Sequence, residues 1–342
     1  MTKKLLYIGN KLSGQGNTVT SIETLGGFLE SEGVIIYYAS SKRNKIVRML
    51  DMLLKTVKYS RKVDFVLIDT YSTINFWYAL IISQICRFLK VKYIPKLHGG
   101  NLPYRLEKSE FFSKLIFNNA YINIAPAKYL YDNFKKKGFE NLMYIQNTIE
   151  LSNYSFEEKK YDFPRLLWVR SFSKIYNPLM ALKVFELVKQ KYPNATLTMV
   201  GPRKDESNEE AIQYSEKNNL NVEFTGKLTK KEWIELSKKT NVFINTTHFD
   251  NTPISVIEAM ALGLPVVSTN VGGLPYLITH NENGFLVEDS DVDGMANQIL
   301  KICSNDIKME EITNSARKLV SNFDWDKVKF LWFKLLNEEH NF

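Results

Sequence analysis

The sequence predicts an α/β protein built from two doubly wound domains, on three observations. Short apolar runs alternate with helix-periodic segments along the chain, the pattern of parallel strands joined by crossover helices. At 342 residues, 44% hydrophobic and 24% charged, the chain has a globular composition and the length for two cores. Ser152 to Pro164 is polar, charge-rich and aperiodic, so it reads as a linker. The domains expected are 1–155 and 156–322, followed by a terminal helix, 323–342.

Strands of the first half are expected near Leu5 to Gly9, Val34 to Ala39, Phe65 to Asp69, Tyr93 to Leu97, Tyr121 to Ala125 and Met143 to Gln146, with helices between them. The second half continues with strand Leu166 to Val169, helix Pro178 to Lys191, strand Thr196 to Val200, helix Asn208 to Asn218, strand Val222 to Thr225 and helix Lys230 to Lys239. Ser207 with Glu210 and Thr229 with Glu232 have the spacing of capping boxes. A short strand at Phe285 to Val287 and a helix at Val292 to Cys303 precede an aromatic tail (Phe323, Trp325, Phe330, Trp332, Phe333) that reads as a docked terminal helix. The apolar window Trp77 to Leu89 is well short of the ~20 residues of a spanning helix and reads as a buried helix. The two cysteines, Cys86 and Cys303, read as buried free thiols in a reducing compartment. Nothing at the N-terminus resembles a signal peptide, so a cytoplasmic location is expected.

Formal net charge is +8, and much of it is local. Lys42, Arg43, Lys45, Arg48, Lys55, Lys58, Arg61 and Lys62 surround a single acid, Asp51. Ile46, Met49, Leu50, Leu53, Leu54 and Val57 recur at helical spacing in the same stretch, which predicts a buried stripe beneath a basic outer face. Such a face is either plainly solvated or a peripheral contact with an anionic membrane surface. No nucleic-acid motif accompanies it, so nucleic acid is the weakest reading.

The stretch from Asn241 to Leu286 organises the second half. An apolar run, Val242 to Asn245, breaks into a polar loop, His248 to Thr252. A helix restarts with Pro253 at its first position and stops at Gly263, and a second apolar run, Pro265 to Ser268, follows. Asp250 lies on the loop and Glu258 inside the helix, both placed to face a ligand over a helix N-terminus whose unpaired N–H groups attract phosphate or sugar hydroxyls. Upstream, Arg170 ends the run LLWVR, and Lys174 follows in the next loop. Such cations can grip a diphosphate, Arg as a fork and Lys as a compact charge.

The residues EAMALGLPVVSTNVGGLPYLI from Glu258 onward resemble the signature of the retaining nucleotide-sugar glycosyltransferases of family 4, which have the GT-B fold: two Rossmann-like domains facing across a cleft, with a C-terminal helix crossing back to the first. That family normally carries two glutamates; here the first is Asp250, shorter by one methylene. The resemblance implies that Arg170 and Lys174 bind the donor's phosphates and that Glu258 binds the ribose hydroxyls. It implies that Asp250, with the backbone N–H groups near Asn251, Thr252 and Ile254, holds the transferred sugar, and that the helix N-terminus at Pro253 to Ser255 stabilises the departing diphosphate. Gly226 with the adjoining Lys227 and Leu228 falls where the base is read, and the loop bearing Gly14 and Gly16 falls where phosphates approach. In LHGGNLP, His98 matches a histidine that touches the donor sugar. Gly99, Gly100, Asn101 and Arg105 are candidates for the acceptor.

No cluster of His or Cys has metal-ligand spacing, and no P-loop or nucleophile-elbow motif occurs. Asp291-Val292-Asp293 and Asp324-Trp325-Asp326 read as helix caps. The expectation is a metal-independent, cofactor-free retaining glycosyltransferase that takes a UDP-sugar, or next a GDP-sugar, and glycosylates a glycan or lipid-linked acceptor. A non-catalytic or epimerase-type GT-B protein is the alternative.

Overall fold

The computed structural model describes residues 2–13, 19–304 and 308–338. The chain divides into two compact units, one of residues 1–148 with 325–342 and one of residues 149–324.

The first unit holds a six-stranded parallel sheet of β1 (Lys4–Ile8), β2 (Ile35–Ala39), β3 (Phe65–Thr70), β4 (Lys92–Leu97), β5 (Asn123–Ala125) and β6 (Leu142–Tyr144), in the order β2-β1-β3-β4-β5-β6. Its helices are α1 (Ser21–Ser31), α2 (Lys45–Tyr59), α3 (Ile74–Phe88), α4 (Leu102–Lys108), α5 (Glu110–Phe117) and α6 (Lys128–Lys136). Strand order turns back once, between β2 and β3. Right-handed crossovers therefore place α1 on one face and α2 to α6 side by side on the other. The two apolar layers follow that division, with Leu25 and Leu29 of α1 in one and Met52, Phe76, Ile116 and Phe134 in the other.

The second sheet comprises β7 (Arg165–Val169), β8 (Thr196–Val200), β9 (Glu223–Gly226), β10 (Val242–Asn245), β11 (Val266–Thr269) and β12 (Phe285–Val287), in the order β12-β11-β10-β7-β8-β9. With it come α7 (Pro178–Lys191), α8 (Ser207–Lys217), α9 (Lys230–Ser237), α10 (Ile254–Ala261), α11 (Val292–Cys303) and α12 (Met309–Val320). α7, α8 and α11 cover one face and α9 and α10 the other, while α12 reaches both, Met309 and Ile312 joining the first core and Ala316 and Val320 the second. α13 (Trp325–Asn337) belongs to the first unit: Trp325 stacks on Phe28 at 5.0 Å and its indole N–H donates to Glu32 at 3.1 Å. Cys86 and Cys303 are free and buried.

The structure departs from the sequence reading in five places. The presumed linker is packed into the second unit, because Tyr154 is buried with the α10 and α12 side chains, so the division falls at 148/149. Ser207 is not a cap: Asp205 accepts its N–H, and Ser207 is the first residue of α8. Thr229 and Glu232 do form the capping box expected of them. Pro253 is the N-cap of α10 rather than its first helical residue.

The fourth and fifth concern helices α2 and α3. Arg48, Met52 and Thr56 take the inner face of α2, while Ile46, Leu50, Leu54 and Val57, expected in the buried stripe, are exposed; only Met49 and Leu53 of that stripe pack inward. The more apolar line of α2 faces away from the sheet, and periodicity alone does not say which face meets it. Likewise α3 is not buried all round, since Trp77, Ile81 and Phe88 are exposed.

Candidate active site

In the second unit, the carboxyl ends of β7 and β10 bring Arg170 to the loop that follows β10. Its guanidinium donates to Asp250 Oδ2 at 2.5 Å and to Asn245 Oδ1 at 3.4 Å, and lies over the Tyr176 ring at 4.9 Å. Asp250 Oδ1 accepts from the Asn251 N–H at 2.7 Å. The two central residues of the site are therefore each other's partners.

Buried hydroxyls and an indole hold the loop. Thr246 accepts from the Trp168 indole at 3.1 Å and donates to the Tyr176 carbonyl at 3.0 Å, and Thr269 donates to the Thr247 carbonyl at 2.6 Å. From behind, Gly272 and Gly273 press against it. A Cβ on Gly272 would lie 2.1 Å from the Asp250 carbonyl oxygen, and one on Gly273 would lie 1.8 Å from that of Asn251. Only glycines fit there.

Beyond the loop, α10 starts at Ile254 with no side chain capping its N–H groups. Asn251 Oδ1 and Ser255 Oγ are buried there without hydrogen-bond partners, and a buried polar atom left unpaired costs roughly 1–3 kcal/mol. With Arg170, these groups form a seat suited to an anion or to hydroxyls. Thr252 and Pro253 are buried in the same turn, and Gly226 ends β9 with φ +69°.

Glu258 is buried in α10, and its Oε1 accepts from the Tyr154 hydroxyl at 2.7 Å and from Lys230. The sequence reading missed both partners: Tyr154 lay in the presumed linker, and Lys230 follows the Thr229 cap. An aromatic residue inside a charged stretch was the available signal for Tyr154. Burial, and then Glu258, push the Tyr154 hydroxyl well above its ordinary range. Lys174 does not join Arg170. Its ammonium pairs with Glu206 at 2.7 Å, exposed, while its backbone N–H donates to Asp205 at 3.0 Å.

In the first unit, His98 follows β4 and is bound to Asp69 of β3, Nε2 to Oδ1 at 2.8 Å, while its ring stacks on Tyr71 at 4.7 Å. Asp69 also accepts from the Tyr7 hydroxyl at 3.0 Å, and Lys96 of β4 donates to Ser21 at 2.8 Å, with Nζ 3.5 Å from His98 Nε2. Burial, and then the neighbouring Lys96, lower the His98 pKa against the opposing pull of Asp69. Burial lowers Lys96 to about 8. A neutral imidazole facing a carboxylate keeps its proton on Nε2, leaving Nδ1 as an acceptor. Asp69, Lys96, Tyr7 and Ser21 were not singled out from the sequence, although an acid and a lysine inside apolar strands were the available signal.

Gly99 has φ +77°, Gly100 is buried, and Asn101 stands at the start of α4 without capping it. Arg105 points back, donating to the Ser72 carbonyl at 2.9 and 2.6 Å. Gly14 and Gly16 lie outside the described residues. Asp291 caps α11 by accepting the Gly294 N–H at 2.8 Å, while Asp324 accepts the Leu151 N–H at 3.2 Å.

The two doubly wound parallel sheets and this loop-and-helix site define the fold class as GT-B. More particularly, residues 152–319 match the family described as Glycosyl transferases group 1. The chain is 28% identical over 163 residues to the capsular polysaccharide biosynthesis glycosyltransferase CapM of Staphylococcus aureus, covering 46% of this chain and 42% of that one. It is 26% identical over 156 residues to an uncharacterized glycosyltransferase of Haemophilus influenzae, covering 45% and 44%. It thus spans less than half the length of these curated relatives. Among solved structures it resembles Anabaena HepE in complex with UDP and glucose, with a TM-score of 0.78 at 17% identity over 99% of this chain and 100% of that one. No helix among the described residues is long and apolar enough to cross a membrane.

Proposed function

We propose that this protein is a retaining glycosyltransferase that moves a sugar from a nucleoside diphosphate donor to a hydroxyl of a glycan or lipid-linked acceptor, in the synthesis of a bacterial surface polysaccharide or glycoconjugate. The observation that carries this reading is the pair of unpartnered buried oxygens, Asn251 Oδ1 and Ser255 Oγ, beside the uncapped start of α10 and the Arg170 guanidinium. A diphosphate gives the N–H groups and Arg170 an anion, and sugar hydroxyls donate to the orphaned oxygens. UDP is favoured and GDP comes next; the Anabaena relative was crystallised with UDP and glucose.

Charge develops on the departing diphosphate as the glycosidic bond breaks, and Arg170 and the α10 N–H groups stabilise it where it grows. Lys174 joins them by leaving Glu206, an exposed partner that holds it weakly. Glu258 receives the ribose hydroxyls, its Oε1 fixed by Tyr154 and Lys230. Asp250 acts on the sugar while holding Arg170 in place. The leaving phosphate takes the acceptor's proton on the face it vacates, so no enzymic nucleophile, metal or cofactor is required. The family resemblance is what assigns His98 to the sugar and Gly99, Gly100, Asn101 and Arg105 to the acceptor; in the free protein Arg105 is held by the Ser72 carbonyl. The acceptor is drawn from the inner face of the plasma membrane.

Two measurements test the reading. NMR of the product should show the donor's anomeric configuration kept; inversion overturns the mechanism. Arg170→Ala should lower kcat/KM by at least ~100-fold, the scale of losing one transition-state donor, and an unchanged value removes Arg170 from its role. EDTA should leave the rate unaltered. UDP binding without turnover of any sugar nucleotide, with acceptors or with water, would move the protein to the binding class.

A further inference from the structure

We propose that the outer surface of α2, α3 and α5 is a docking face for an anionic lipid bilayer. It adds to the basic segment 42–62 an apolar and aromatic component that the sequence reading had placed inside the protein. On α2 the exposed residues Ile46, Leu50, Leu54 and Val57 fall within an arc of roughly 100° at 3.6 residues per turn. On α3 the exposed Trp77, Ile81 and Phe88 are spaced by four and seven residues, one line along the helix. α3 packs against both α2 and α5, and all three helices lie on the same side of the first sheet. Trp77 meets Phe112 of α5 edge-on at 5.4 Å, which joins the α3 stripe to α5, where Phe111 and Phe112 are exposed as well.

Charge selects the occupant. Lys42, Arg43, Lys45, Lys58, Arg61 and Lys62 are exposed at the ends and flanks of α2, while its one acid, Asp51, is paired with Lys55 at 3.1 Å. Farther along the face, Glu110 and Glu107 are paired with Lys114 and Lys137 at 2.6 and 3.0 Å. An apolar stripe bordered by unneutralised cations, with an exposed indole beside it, suits the region of a bilayer where acyl chains meet anionic headgroups. Arg48 takes no part: it is buried and donates to the carbonyls of Lys42 and Arg43 at 2.9 and 2.8 Å. The face is independent of the donor site, so vesicle binding and UDP binding can fail separately.

The test is co-sedimentation of the full chain with vesicles of phosphatidylglycerol and phosphatidylcholine, against vesicles of phosphatidylcholine alone. Binding should be at least tenfold tighter to the anionic vesicles and should weaken as salt rises. Trp77 is the exposed one of the five tryptophans, so tryptophan emission should move to the blue on binding. Leu50→Glu with Leu54→Glu should lower vesicle affinity at least tenfold while leaving the thermal unfolding midpoint in place. Absence of binding to anionic vesicles, or equal binding by the double variant, overturns the proposal. A dimer in solution that the double variant abolishes also overturns it and assigns the face to a second copy of the chain.

Discussion

Glu258 is the residue where burial and chemistry meet most tightly. A carboxylate 3% exposed inside an apolar helix is tolerable only because Tyr154 and Lys230 supply hydrogen bonds and a charge. Glu258→Gln keeps the shape and removes the charge. It should weaken UDP binding in calorimetry by at least tenfold, the scale of one charge-assisted hydrogen bond, and an unchanged affinity would detach Glu258 from the donor. Lys96 gives a test that involves no ligand. Its ordinary value is 10.5 and burial lowers it to about 8, so between these values the unfolded chain holds a proton that the folded chain has released. Stability gained from this group therefore rises with pH from 8 to 10.5, by about 3 kcal/mol at ~1.36 kcal/mol per pH unit. The unfolding free energy of wild type minus that of Lys96→Met should climb across that window, and a flat difference would contradict the lowered Lys96 value. Arg170 and His98 were singled out by their strand-end positions together with the family resemblance, and Glu258 by the resemblance that starts at it. Asp69 and Lys96 come beside His98 because β3 and β4 are paired, and Tyr154 reaches Glu258 because the segment after residue 148 packs on α10; both are properties of the fold.

Elements were easier to read than the faces they bury. Helix Pro178–Lys191, strand Val242–Asn245 and helix Val292–Cys303 have the bounds that caps and periodicity give them, Asn177 accepting the Met180 N–H at 3.3 Å before Pro178 and Asp291 serving α11 in the same way. α2 shows where that reading stops. Its apolar residues do not mark the buried face: Ile46, Leu50, Leu54 and Val57 are exposed, while Met52 joins the core and Arg48 is satisfied inside by backbone carbonyls. The two faces should answer differently to truncation. Met52→Ala, at a site 1% exposed, should cost ~2–5 kcal/mol in urea unfolding. Leu50→Ala, at 52% exposed, should stay within ~0.5 kcal/mol. Equal costs would mean that α2 sits on the sheet the other way round.

At the scale of the whole molecule, the last helix is assigned by contacts rather than by position in the chain. The family match ends at residue 319, and α13 spends its apolar face on the first sheet, where Trp325, Val328, Trp332, Leu335 and Leu336 are buried among α1 and strand side chains. Fully burying one large apolar side chain contributes about 1.5–3 kcal/mol, so the five together approach the whole stability of a typical domain. A chain ending at Asp324 should therefore lose the cooperative unfolding of the first unit and expose Phe28 and its neighbours to dye binding. The second unit has its own cores and keeps Arg170, Asp250, Asn251 and Glu258. It should retain a UDP-dependent rise in its unfolding midpoint, because a ligand stabilises only the unit that binds it. Calorimetric scans of the full and shortened chains, each with and without UDP, separate the outcomes. Loss of the UDP response on removing α13 would mean that the nucleotide site needs the first unit intact. A first unit that still unfolds cooperatively would mean that α13 is dispensable to its core.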